Sequence, residues 1–488
     1  MQSIQKYDVV LIWAGVMSAT LWAMLHELDP KLTIWIFESQ NTIASESSDV
    51  MNNAWTGHSA FCELNYTPQA TDGSVDISKA LGIVEQFEIS KQFRATLTQK
   101  WYFSTPHSYI NTIPHCSVVF GKEDVQFLKT RYEALQHNHL FHGMEYSEDP
   151  AIIATRMPLI TKNRDASQPI AATRMSIGTD IDFWSLTRQM LAHLERSDHV
   201  HMYGNHRVEN LHKESDWLWH ITVRDAASKT SRTVRASFVF IWAGGWALPL
   251  LQKSGVSERK WFGGFPVSGQ RLVCNNPDVI AQHAAKVYGK AALGAPPMSV
   301  PHLDTRIING KKALLFGPYA WFTTKFLKKG SFLDLPLSIK YHNIISMLGA
   351  WAHNIPLTKY LIDQVRQSSN DRLDALREYM PDARKEDWDL QEAWYRVQII
   401  KADSKQWWKL QFGTEVIVSA DKSLSTLLGA SPWASTSVSI MLQIVEKCFP
   451  QYRSHLPTII HSYGQSLHDN SELAATIRKR THTTLWLA

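Results

Sequence analysis

Tyr7 to Ile12 (YDVVLI) is a short, almost unbroken apolar run rich in β-branched residues. That is the pattern of a strand buried on both faces of a parallel sheet. Trp13-Ala14-Gly15 follows, and Val16 to Leu28 places Met17, Leu21, Met24, Leu25 and Leu28 at helical spacing before Asp29-Pro30 stops the run. A second strand through Leu32, Ile34, Ile36 and Phe37 ends on Glu38, 23 positions after Gly15. This βαβ order points to a fold in which a dinucleotide's pyrophosphate faces the helix N-terminus and the terminal acid meets the ribose hydroxyls.

The unit departs from the G-x-G-x-x-G fingerprint at its first position, where Trp13 stands. Gly15 supplies the second glycine and the small Ser18 fills the third place. The same grammar returns later: Phe238 to Trp242 reads as a buried strand, Ala243-Gly244-Gly245-Trp246 as a turn, and Ala247 to Lys253 as a helix. Tryptophan is abundant, with 19 residues against 23 glycines, where glycine is ordinarily about 7% of a chain.

Length and composition bound the class. The 488 residues suit two or three domains, and 44% hydrophobic with 19% charged residues describes a folded globular protein. The net charge of +5 is spread out, so nucleic acid is not an expected partner. Cys62, Cys116, Cys274 and Cys448 lie far apart, as reduced thiols of a cytoplasmic protein do, and form neither a disulfide framework nor a metal site. No signal peptide is visible, and the longest uncharged apolar stretch, Ala236 to Leu251, is too short and too broken by glycine and proline to span a bilayer.

Further along, the spacing predicts helices over Asp76 to Lys100 and Asp124 to Leu135, and a loop-like region from Thr155 to Ile177. Asp180 or Asp182 is expected to cap a helix running to Leu194. A meander from His199 to Val239 follows, then a hairpin at Asn309-Gly310, a helical cap over Leu337 to Arg377, and a helix from Ser437 to Phe449.

Several blocks, among them YDVVLIWAGVMSATL, FVFIWAGGWALPLLQKSGV, PHLDTRIINGKKALLFGPYAWFTTKFLKKGS and LQFGTEVIVSADKSLSTLLGASPWASTSVSIML, resemble bacterial malate:quinone oxidoreductase over residues 7 to 442. The resemblance implies an α/β, two-domain FAD-dependent oxidoreductase: a Rossmann-like FAD domain (1–80, 176–256 and 395–488) and an antiparallel-sheet substrate domain capped by helices (81–175 and 257–394). It implies oxidation of (S)-malate to oxaloacetate in the tricarboxylic acid cycle, with hydride transfer to FAD and electrons passed to a membrane quinone. The protein would then sit in the cytoplasm, peripheral on the inner face of the cell membrane. Arg478-Lys479-Arg480 with Leu485-Trp486-Leu487 is a candidate contact with that surface.

The chain departs from the family where Trp13, Trp55, Trp242, Trp246, Trp321, Trp394 and Trp433 replace expected glycines, with Trp184, Trp407 and Trp408 as further instances. The expectation is a member altered at its cofactor site. Its alternatives are another FAD-dependent 2-hydroxyacid or amino-acid oxidase, and a folded, non-catalytic protein with a blocked flavin site.

In this reading His302, from the PHLDTR block, is the candidate base, with His58 and His115 as rivals. Arg306, four residues on and on the same face of a strand, is the candidate carboxylate clamp, ahead of Arg156 and Arg174. The cofactor candidates are Gly15, Ser18, Glu38, Asn53, Thr56, His58, Gly244, Gly245 and Ser435, and no metal is expected.

Overall fold

The structure is a computed structural model that describes residues 5–53, 56–291, 300–308, 310–341, 343–403, 407–411, 413–429 and 434–487. Trp55, Asn309 and Trp433 lie outside the described residues.

The opening forms as the sequence predicts: strand Lys6–Ile12 (β1), helix Val16–Leu28 (α1) and strand Ile34–Phe37 (β2). Apolar residues on both faces of β1 demand cover from two sides, and both are supplied. Val9 and Leu11 pack with α1 and with helices Phe183–Leu194 and Ser437–Cys448, while Val10 and Ile12 pack with the meander strands and helix Ala247–Ser254. β1 pairs in parallel with β2 on one side and with strand Ser231–Ile241 on the other, so Val9 faces Phe238 and Val10 faces Val239. The two strand-turn-helix units therefore lie side by side in one eight-stranded sheet, completed by Val200–Tyr203, the meander and the hairpin Thr414–Val418/Leu424–Gly429.

A second, nine-stranded sheet holds His302–Ile308, Lys311–Phe322, Gly263–Cys274 and Trp388–Asp403. It is antiparallel as expected apart from one pairing, in which Lys286–Tyr288 runs parallel to His115–Phe120. The stretch from Thr155 to Ile177 is not the expected loop. It contributes strand Ile170–Met175, whose alternate residues Ile170 and Ala172 enter the core of this sheet. Asp182, not Asp180, caps the helix to Leu194, accepting a hydrogen bond from the Ser185 amide at 2.8 Å. The cap region is helical, with Asp334–Ser338, Ile344–His353, Ile355–Arg366 and Ser369–Arg377. The C-terminal helix Ser471–Leu485 docks on helix Ser78–Gln99, with Leu485 and Leu487 buried and Arg478 paired to the buried Glu88. Lys479, Arg480 and Trp486 are exposed, as are the polar Glu472, Thr476 and Thr483.

Candidate active site and cofactor cradle

At the end of β1, the chain turns through Trp13, whose φ is +80°, into Gly15 at the start of α1. A left-handed backbone suits glycine and strains a residue with a bulky Cβ substituent. The amides that would face an anion are engaged within the protein: Ala14 N–H donates to Glu38 Oε2 at 2.9 Å and Val16 N–H to Ser48 Oγ at 3.1 Å. Glu38 is buried, and desolvation raises its pKa although the amides of Ala14 and Gln40 and the Ser39 hydroxyl oppose the shift.

The second turn brings Trp242 against the first. Its Nε1 lies 3.5 Å from where a Cβ on Gly15 would be, and Trp13 reaches within 4.0 Å of the corresponding point on Gly244. What remains among Trp13, Gly15, Glu38, Ser48, Trp242 and Gly244 is a cavity of about 30 Å³. That holds a water or so, and an FAD pyrophosphate does not fit it. Ser18 and Ser435 are fully buried nearby on the first sheet's helical side, each with an unsatisfied hydroxyl. Gly245 is pressed against the Phe326 carbonyl, 2.5 Å from where its Cβ would stand, so no larger residue fits there. Trp246 lies under the Arg207 guanidinium at 4.6 Å and, with Trp13, lines an adjoining cavity of about 340 Å³.

The other end of the site lies where the second sheet meets loop 50–53. His302 begins its strand opposite Gly317 and stacks on Tyr288 at 4.7 Å. Its Nδ1 is 2.9 Å from the Val300 carbonyl, and its Nε2 is 3.7 Å from Asp304 Oδ2. A carbonyl can only accept, so Nδ1 carries the proton and Nε2 holds the lone pair. Burial lowers the His302 pKa to about 4, against the pull of Asp304. Asp304 and Asp180 flank the buried Lys286, at 3.8 and 2.8 Å.

Arg306 is fully buried and donates to the Val50 carbonyl at 2.7 Å. Arg271 comes from strand Gly263–Cys274, on the far side of Lys311–Phe322, where it lies beside Gly317 and donates to the Asn53 carbonyl at 3.2 Å. Burial, reinforced by Arg306, holds its pKa well below the usual guanidinium value. Thr56 and Tyr288 share a 2.9 Å hydrogen bond, and His58 pairs with the buried Glu63.

The structure thus gathers His302 and Arg306 at one end and Gly15, Glu38 and Gly244 at the other, with Asn53, Thr56 and His58, expected at the cofactor, on the His302 side. Arg156 and Arg174 stand apart, both tied to Glu145. His115 is buried under the Thr179 backbone, with its pKa lowered by burial to about 4. Sequence reading missed Arg271, Asp304, Lys286 and Tyr288. The signal for Asp304 was present in the alternation His302, Asp304, Arg306; the other three come from distant strands.

The profile of the family described as Malate:quinone oxidoreductase (Mqo) matches residues 5–487. A probable malate:quinone oxidoreductase of Flavobacterium johnsoniae is 53% identical over 484 residues, 98% of this chain and 97% of that protein. A probable malate:quinone oxidoreductase 2 of Pseudomonas aeruginosa is 51% identical over 489 residues, covering 99% and 96%. Among solved structures, dithionite-reduced L-α-glycerophosphate oxidase from Mycoplasma pneumoniae with FAD bound shares the fold at a TM-score of 0.57 and 15% identity, covering 91% of this chain and 95% of that one. Glycine oxidase from Geobacillus kaustophilus does so at 0.57 and 13%, with the same coverage. The chain belongs to the malate:quinone oxidoreductase family.

Proposed function

We propose that the protein oxidises (S)-malate to oxaloacetate and that the two electrons leave to a membrane quinone, as a step of the tricarboxylic acid cycle at the inner face of the cell membrane. FAD is the cofactor of the family. The observation that carries the reading is the meeting of His302 with two buried arginines, Arg306 on its own strand and Arg271 two strands away across Lys311–Phe322. The Nε2 lone pair of His302 takes the proton of the 2-hydroxyl, and Asp304 favours the imidazolium that results. Arg306 and Arg271 bind the two carboxylates, whose negative charge relieves the mutual repulsion of the guanidiniums. Residues 1–80, 176–256 and 395–488 are assigned to the cofactor part and 81–175 with 257–394 to the substrate and cap part, except that strands Trp388–Asp403 and Trp407–Gln411 go with the second sheet.

In the chain as written, Trp13 and Trp242 occupy the pyrophosphate's place, so FAD is held weakly and malate oxidation is low. The test is malate-dependent reduction of a soluble quinone analogue with FAD supplied in excess, beside 2-hydroxy monocarboxylates and amino acids. Preference for the dicarboxylate supports the reading. Faster turnover of a monocarboxylate or an amino acid overturns it in favour of another oxidase on this fold.

A further inference from the structure

Sixteen large apolar side chains stand exposed among the described residues, and ten of them lie between Phe332 and Val365. Phe332, Leu333, Leu337, Ile345, Leu348 and Ile355 are each 60–68% exposed, on the first three of the four cap helices and the turn before them. Ordinary surfaces scatter such residues singly, and a cluster of this kind marks a contact. Charge in the same stretch is mostly positive. Between positions 324 and 366 the charged residues are Lys325, Lys328, Lys329, Asp334, Lys340, Lys359, the exposed Asp363 and Arg366. Asp334 is buried, with its carboxylate turned inward to accept from the Phe326 and Ser331 amides. Lys329, Lys340 and Lys359 are exposed. No helix among the described residues is long and apolar enough to cross a membrane. Helix Ile355–Arg366 also lines a cavity of about 550 Å³ through Tyr360 and Gln364, and the cavity's far wall includes Gly317, the partner of His302 in the sheet.

We propose that this cap face, not the C-terminal tail, seats the protein on an anionic lipid surface. The apolar side chains enter the headgroup boundary, the lysines meet lipid phosphates, and the cavity gives a lipid-borne acceptor a way toward the site. The proposal rests on the quinone reading for its purpose, but its test does not. Wild-type protein should sediment with phosphatidylglycerol vesicles more than with phosphatidylcholine vesicles. Leu337→Glu/Ile345→Glu/Leu348→Glu should weaken that binding roughly tenfold or more, and Lys479→Glu/Arg480→Glu should leave it unchanged. Malate-dependent dye reduction should be equal in all forms. Equal vesicle binding by the triple variant, no binding by the wild type, or a concentration-dependent dimer lost in the triple variant each overturns the proposal. Vesicle binding by a Trp13→Gly/Trp242→Gly chain that takes up FAD but does not turn over malate would leave this face standing and remove the malate reading.

The misfit between FAD and its cradle belongs to a wider pattern. Eleven described residues other than glycine have positive φ, and five are tryptophans: Trp13, Trp101, Trp217, Trp261 and Trp486. A bulky residue in this region is an outlier, and glycine is its ordinary occupant. The last four are 82%, 76%, 49% and 53% exposed, so little burial offsets the strain. Their settings are glycine settings. Trp101 follows the end of helix Ser78–Gln99, where Tyr102 N–H returns to the Leu97 carbonyl at 3.1 Å, and Trp486 is the left-handed cap of Ser471–Leu485. These four positions play no part in the cradle, so blocking of a flavin site does not explain them. A single decoding change does, because the codon UGA is read as tryptophan in some genetic codes and as glycine in others.

We infer that the organism's own polypeptide carries glycine at these five positions and at Trp242. Trp219 serves as the contrast: it is buried in an extended strand and its indole N–H donates to Ser423 at 3.0 Å, so it is a true tryptophan. Peptide mass spectrometry of the protein isolated from its source should find glycine at positions 13, 101, 217, 242, 261 and 486 and tryptophan at 219. Tryptophan at the first six overturns the inference, whatever the enzyme's activity proves to be. A synthetic chain with those six glycines should also melt above the chain as written; a lower melting point counts against it.

Discussion

The two ends of the site are built on different principles. On the proposed reading, the cofactor end is a backbone site, in which a turn at the end of β1, a helix N-terminus and a second such turn work by leaving space. The proposed substrate end is a side-chain site, in which His302, Arg306, Arg271 and Asp304 work by being present. On that reading the tryptophans crowd the first and leave the second unaltered. Trp13 and Trp242 reduce the cradle to about 30 Å³, while the buried cations beside His302 keep their contacts. A site that depends on emptiness is lost by any large substitution, whereas a site made of functional groups survives as long as its scaffold folds.

The sharpest way to break this comparison is to reopen the cradle. Trp13→Gly/Trp242→Gly should tighten FAD binding, read by flavin fluorescence titration. Overpacking costs of about 1–3 kcal/mol per position give a gain of roughly 30-fold to 10⁴-fold. Unchanged affinity would mean that the cofactor lies elsewhere.

Next in size, His302→Asn in that reopened chain should lower kcat for malate by about 10²- to 10⁴-fold while FAD affinity stays the same. A parallel loss of FAD would show that the two ends are not separable.

Arg271→Met should act on binding. Loss of a charge-assisted pair worth about 1.5–3 kcal/mol raises KM for malate roughly 10- to 100-fold, with a smaller effect on a 2-hydroxy monocarboxylate. Equal effects on both substrates would remove Arg271 from the second carboxylate.

The smallest expected effect is on pH. Burial lowers the His302 pKa to about 4, so the base is neutral and competent above that value. The acid limb of kcat/KM should fall near pH 4, not near the ordinary histidine value of about 6.5. Stability follows the same shift. The unfolded state binds the proton first, so His302's contribution is lost as pH falls from about 6.5 to about 4 and is constant below that. An acid limb near 6.5 in steady-state rates would place the working base elsewhere.

Much of the cofactor end was legible in the sequence because its signals are local. Strand, turn, helix and terminal acid follow one another within Tyr7 to Glu38, and the repeat at Phe238 to Lys253 announces the neighbouring strand. The stretch from Thr155 to Ile177 misled for a related reason. Its three arginines and its prolines read as loop, but Ile170–Met175 becomes a strand because partners on both sides complete its hydrogen bonds.

The βαβ opening and the family were legible in the residues alone, as was the run of tryptophans beside glycine-like turns, since each is written in short-range order. Tertiary structure alone decided which charged groups meet. Arg271, Lys286, Asp180 and His302 come from separate strands, and only sheet register and burial bring them within reach of one another. It also decided that Leu485 and Leu487 turn inward while Leu337, Ile345 and Leu348 face out. Composition does not record such a choice, because an apolar side chain is buried or exposed according to the surface that happens to lie opposite.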